Sequence, residues 1–221
     1  MREIRVWDLP TRAYHWAIAL LVVIAWATTW GGGWVFALHR FAGYGVLVLI
    51  VFRLFWGVCG NEHARFANFV SPPKDVWRHL RKLLLFSPSR LVGHSPLGGW
   101  IVLVFLAVLA GIVITGLFAS DGESAGPWAS AVAPFTGSAM KEIHEGLANL
   151  LLLLAAGHIV GAILRSFLAR DNLIRAMWTG RRMVADESPA VDAGRPRLWL
   201  AALILALLAL LWWFITSLFG A

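Results

Sequence analysis

The chain has 221 residues, of which 59% are hydrophobic and 14% charged, with 19 Lys and Arg against 12 Asp and Glu. This composition excludes an ordinary soluble domain and fits a helical membrane protein, so the +7 balance reads as a topology signal and not as a nucleic-acid footprint. The one cysteine, Cys59, rules out an intrachain disulfide.

The N-terminal MREIRVWDLPTR mixes charges, and no small-residue cleavage site follows the apolar run, so the first hydrophobic segment reads as a retained helix. Asp8, Pro10 and Thr11 supply a helix start. The first span covers about residues 11–30, with His15 one turn inside. Gly31, Gly32 and Gly33 form a short uncharged turn. The second span, about 35–58, carries His39 near its start and Arg53 fourteen residues later on nearly the same face. The polar loop from Cys59 to about Pro96 holds Arg65, Lys74, Arg78, Arg81, Lys82 and Arg90. Within it, residues 75–86 (DVWRHLRKLLLF) set Val76, Leu80, Leu83 and Leu84 against Arg78, Arg81 and Lys82, the pattern of an interfacial amphipathic helix.

The third span, about 98–118, has neither histidine nor charge, and the loop after it is poor in positives. The fourth span, about 142–166, lies in KEIHEGLANLLLLLAAGHIVGAILRS and carries His144 and His158. A second basic loop and a linker over 184–197 lead to a fifth apolar span, 198–219. The expected fold is an all-α integral membrane bundle: a four-helix core within residues 1–183 plus a fifth, C-terminal transmembrane helix.

Basic residues concentrate in the N-terminus and in the loops after the second and fourth spans. The positive-inside rule makes those segments cytoplasmic and the C-terminus periplasmic, in a bacterial inner membrane. His15 and His158 then share the cytoplasmic-side depth, and His39 and His144 the periplasmic-side depth. His144 and His158 are fourteen residues apart, nearly four turns and roughly 21 Å along one helix face. Isolated titratable groups inside a membrane are costly, and four of them in complementary pairs suit two bis-histidine sites for two non-covalent haems b. Covalent attachment is excluded because no Cys-x-x-Cys-His occurs. Gly43, Gly146, Gly157 and Gly161 lie near these histidines and would admit a flat macrocycle. Arg53 and Lys141 are placed to neutralise propionates. His63, His79 and His94 read as solvated loop residues, Cys59 as an inert thiol, and the tryptophans as interfacial belts.

As a set, VWDLPTRAYHW with His15, ALHRFAGYGVLVLIVFRL with His39 and Arg53, GHSPLGGW, KEIHEGLANLLLLLAAGHIVGAI with His144 and His158, and DNLIRAMWTGRR resemble the bacterial cytochrome b561 family, over roughly Val6 to Met183. That grouping also takes in the cytochrome b subunits of nickel–iron hydrogenases. The resemblance implies that the four matching histidines ligate two haems b. It also implies electron transfer between the quinone pool and a redox partner, such as a periplasmic cytochrome c or a hydrogenase-like enzyme. The fifth helix departs from the family's basic four-helix pattern. Two rival readings are a haem-bearing membrane anchor of a larger enzyme and a histidine-relay transporter. The transporter predicts acidic residues at depth, and the spans contain none: Glu142 and Glu145 sit at the end of the fourth. The sequence leaves the oligomeric state open, a homo-oligomer included.

Overall fold

A computed structural model of the chain describes residues 2–85, 93–122, 125–132, 134–169, 171–184, 192–194 and 197–219. In chain order the elements are β1 (Arg2–Arg5), α1 (Leu9–Ala27), α2 (Trp34–Cys59), α3 (Phe66–Phe69), α4 (Pro73–Leu84), α5 (Pro96–Phe118), a 3-10 turn (Ala129–Ala131), α6 (Pro134–Ala169), α7 (Leu173–Thr179), β2 (Arg181–Val184) and α8 (Leu198–Phe219). Among the described residues, four helices are long and apolar enough to cross a membrane: Leu9–Ala27, Trp34–Cys59, Pro96–Phe118 and Thr136–Leu168. They correspond to the first four expected spans. The fourth helix begins well before its apolar stretch, because Pro134 suits a first helical turn and the polar residues after it do not break a helix. The expected amphipathic helix is α4. The expected linker 184–197 lies largely outside the described residues. The last apolar stretch forms a helix, α8.

The chain divides into two compact units, the first made of Met1–Tyr14, Arg53–Val104 and Ala155–Ala202, and the second of His15–Phe52, Phe105–Leu154 and Leu203–Ala221. In the first unit, β1 pairs antiparallel with β2 in the register Arg2↔Val184 to Arg5↔Arg181. This two-stranded ribbon is an addition to the expected all-α architecture. Period-two alternation turns Ile4 and Val6 to one side, where they are buried with Val184 and packed by Trp7. Glu3 pairs with Arg181 at 2.8 Å, and Arg182 with Asp171. Asn172 caps α7 by accepting from the Arg175 amide, and Gly180 ends it at φ +80°. The Gly180 carbonyl then accepts the amides of Val6 and Trp7 at 2.8 and 3.1 Å, tying the ribbon to the start of α1. Trp56 is wholly buried and donates through Nε1 to Thr11 Oγ1 at 3.3 Å, so this tryptophan is a core residue and not part of a belt.

In the second unit, α1 and α2 form a hairpin whose turn uses Gly33 at φ +58°. A Cβ on Gly45 would stand 2.7 Å from Leu21 Cδ1, so the glycine sets how closely these helices approach. Gly111 does the same for α5 against Leu147 of α6, at 2.9 Å. Trp212 of α8 packs on Tyr44 of α2 with ring centroids 4.9 Å apart.

Candidate haem-binding site

His39 and His144 meet inside the second unit, with ring centroids 6.1 Å apart and planes at 67°. Each ring is fixed by its Nδ1. Helix α1 ends at Ala27, which leaves late carbonyls without helical partners, and the Ala25 carbonyl lies 2.8 Å from His39 Nδ1. The Ile112 carbonyl of α5 lies 2.8 Å from His144 Nδ1. A carbonyl only accepts, so each Nδ1 carries a proton, which in a neutral imidazole leaves the Nε2 lone pair for a metal. This is the second-sphere arrangement that holds metal-binding imidazoles in one tautomer and one orientation. Metal–imidazole bonds of about 2 Å on either side of one ion would place the centroids roughly 6 Å apart, so the pair fits a bis-histidine iron.

Glycines shape the same place. A Cβ on Gly116 would come 2.9 Å from His144 Cε1 and 3.0 Å from its Nδ1, so only glycine lets the ring reach the Ile112 carbonyl. A Cβ on Gly43 or Gly146 would meet no heavy atom within 4 Å. Phe36 stacks on His39 at 5.8 Å with planes 5° apart.

His15 belongs to the second unit and His158 to the first. His15 packs edge-on against Trp16 at 5.0 Å. His158 is exposed on α6, between Gly157 and Gly161, where an added Cβ would meet nothing within 4 Å.

Lys141 sits one turn before His144 and faces Asp121 at 2.9 Å and Glu145 at 3.8 Å. Arg53 is buried at 2% exposure. Its Nη1 donates to the Ala64 carbonyl at 3.1 Å, and its guanidinium lies 4.8 Å from the Phe66 ring centroid and 5.7 Å from that of Phe69. Gly57 makes room for that cover, since a Cβ there would fall 2.0 Å from Phe66 Cε2. Arg53 thus anchors the loop after α2 by cation–π contact and a hydrogen bond, and it faces the charge of Asp8.

Two loop histidines are not solvated as expected. His79 is buried on α4, and burial, with the Arg165 and Lys82 charges, pushes its imidazole pKa down. His94 lies against Trp7 at 4.7 Å and Phe69 at 4.3 Å. Its Nδ1 is buried with no hydrogen-bond partner among the described residues. Burial, helped by the Arg53 and His63 charges, pushes His94 down to about 3. The sequence signal was the aromatic residues around it, Trp7 and Phe69, which do not identify themselves as neighbours until the loop folds.

The chain is similar to probable Ni/Fe-hydrogenase B-type cytochrome subunits. It is 28% identical to that of Azotobacter vinelandii, over 83% of this chain and 90% of the relative. It is 26% identical to that of Cupriavidus necator, over 82% and 87%. It is 24% identical to the Ni/Fe-hydrogenase 1 subunit of Escherichia coli, over 80% and 89%. No solved structure matches the chain. Residues 6–180 match the family description of prokaryotic cytochrome b561, a stretch that contains all four histidines and the helices that carry them, and the chain belongs to that family.

Proposed function

We propose that the chain is the di-haem cytochrome b subunit of a hydrogenase-like membrane complex, passing electrons between that enzyme and the quinone pool. The observation that carries the reading is the His39–His144 pair: Nδ1 atoms tied to the Ala25 and Ile112 carbonyls and ring centroids 6.1 Å apart. Haem, when bound, supplies a one-electron iron couple that the surrounding protein tunes. The chain's own contribution is to hold each imidazole in one tautomer, so that ligation needs little rearrangement. His15 and His158 are assigned as the second, cytoplasmic-side pair. His158 stands between two glycines that leave space beside it. Arg53 and Lys141 are assigned to the propionate ends of the cytoplasmic-side and periplasmic-side haems respectively.

The relatives' names favour a hydrogenase-like partner over a periplasmic cytochrome c. Orientation follows the charge: of nineteen Lys and Arg, the segments of the second unit hold only Arg40 and Lys141. The basic N-terminus and the loops after the second and fourth spans are therefore assigned to the cytoplasmic side, with α8 crossing to leave the C-terminus outside. The test is an oxidised and dithionite-reduced spectrum of the purified chain with pyridine-haemochrome quantification. Two non-covalent haems b are expected, falling to one in His39→Ala and to one in His15→Ala. A chain made with ample haem supply that binds none would overturn the reading. Reduction by the co-expressed hydrogenase under hydrogen, and reoxidation by a quinone, would separate the hydrogenase partner from a cytochrome c.

A further inference from the structure

At the ribbon end of α1 the first unit contains a half-open cavity of ≈ 230 Å³ lined by Arg5, Trp7, Leu9, Arg12, Thr179 and Arg181. We propose that this cavity binds the phosphate of an anionic phospholipid headgroup, with its apolar wall at the acyl boundary. The proposal does not depend on haem content.

Three arginines line it, each tethered by the chain through one Nη1. Arg5 donates to the Gly194 carbonyl at 2.7 Å, Arg181 to Glu3 at 2.8 Å, and Arg12 to the Trp178 carbonyl. A guanidinium carries five N–H donors, so these bonds orient the forks without exhausting them. Arg12 Nε is buried and has no acceptor among the described residues. It is pinned by the left-handed turn at Gly180, where a Cβ would stand 3.0 Å from that nitrogen and 2.6 Å from the Trp7 carbonyl. A buried donor of this kind gains from an anionic acceptor. The carboxylates nearby do not line the cavity: Glu3 is spent on Arg181, Asp192 accepts the Arg5 backbone amide at 2.9 Å, and Asp8 accepts the Thr11 amide at 2.7 Å. The lining therefore holds three arginines and no carboxylate, and planar forks suit a phosphate diester better than lysine would.

The source of the phosphate follows from position. Leu9 is the first residue of α1, a candidate membrane span, and is 47% exposed; Trp178, whose carbonyl holds Arg12, is 69% exposed. A basic pocket with a leucine and a tryptophan at the polar boundary of a span suits a lipid headgroup. A soluble anion would have no use for the apolar wall.

The full-length chain is delipidated in detergent, and retention of phosphatidylglycerol, phosphatidylcholine or inorganic phosphate is read by native mass spectrometry alongside thermal stability. Phosphatidylglycerol is expected to remain bound and to raise the melting temperature, with phosphatidylcholine and inorganic phosphate doing neither. Arg12→Gln with Arg181→Gln is expected to lower retention at least tenfold, while Arg78→Gln with Arg81→Gln on α4 leaves it unchanged. Thr179→Glu adds a competing carboxylate to the lining without removing an arginine, and it is expected to displace the lipid even if the arginine variants fail to fold. Equal retention of the two lipids, an equal effect of inorganic phosphate, or unchanged retention in Thr179→Glu would overturn the proposal.

Discussion

Gly116 decides whether His144 can take the Ile112 carbonyl, because any Cβ at 116 would fall within 3.0 Å of the imidazole. Gly116→Ala is expected to push the ring off that acceptor and to cost the periplasmic-side haem, leaving about one haem per chain by pyridine haemochrome. A variant with full haem content and unchanged midpoint potentials would show that the glycine is a packing contact only. His94 acts in the opposite direction, by staying neutral. Its pKa is about 3 in the folded chain against 6.5 for an ordinary histidine. Between those values the unfolded chain takes up a proton that the folded chain refuses, so stability is full above about pH 6.5 and declines as the pH falls towards 3. From pH 6.5 to pH 5 the loss is on the order of 1–2 kcal/mol, at about 1.4 kcal/mol per unit. Thermal melts of wild type and His94→Phe at pH 7.5 and 5.0 should show the steeper acid loss in wild type; parallel losses would reject the assignment. The approach of His39 to His144 was legible in the sequence because type, spacing and depth are properties of a one-dimensional pattern. The hydrogen-bond partners of that pair were not, because the acceptors are backbone carbonyls of Ala25 and Ile112, made available by a helix end and by a missing side chain.

At the level of elements, the β1–β2 ribbon does the work of a clasp, joining the segment before α1 to the one after α7. Val6 is 0% exposed beneath it, beside Ile4 and Val184. Val6→Ala removes two buried methyls and is expected to cost about 2 kcal/mol with the cavity it leaves. The loss should appear as faster amide exchange at 181–184 while the α2 amides stay protected; equal exchange in both would mean that the ribbon is not a separate unit of stability. The ribbon escaped the sequence reading for two reasons. Four-residue strands give too little alternation to register, and pairing Arg2 with Val184 joins distant parts of the chain. By contrast α4 was legible, since its basic and apolar sides follow helical periodicity within twelve residues. The long spans were legible for a stronger reason: in a bilayer every backbone polar group must be satisfied within the segment, so a long apolar run has little choice but a helix.

Across the whole molecule, charge and hydrophobicity are segregated together. The first unit holds nearly all the Lys and Arg, and the second is built from apolar helices and short connections. That asymmetry is the ground for the proposed topology, because an apolar helix packs equally well in either direction while arginine-rich segments resist translocation. α8 is the element on which the topology turns. Its 22 residues span roughly 33 Å at 1.5 Å per residue, enough for the hydrocarbon core, and Trp212 packs on Tyr44 of α2. If α8 crosses, the chain has five spans and its ends lie on opposite sides of the membrane; if it lies along the surface, both ends are cytoplasmic. Alkaline phosphatase fused after Ala221 is therefore expected to be active in the periplasm, and a green fluorescent protein at the same position dark. Fusions after Leu85 should show the reverse. A fluorescent, phosphatase-inactive C-terminus with unchanged Leu85 fusions would remove the fifth span and leave the four-helix core standing. Reversal of both sets would overturn the orientation itself, and with it the assignment of His15 and His158 to the cytoplasmic side.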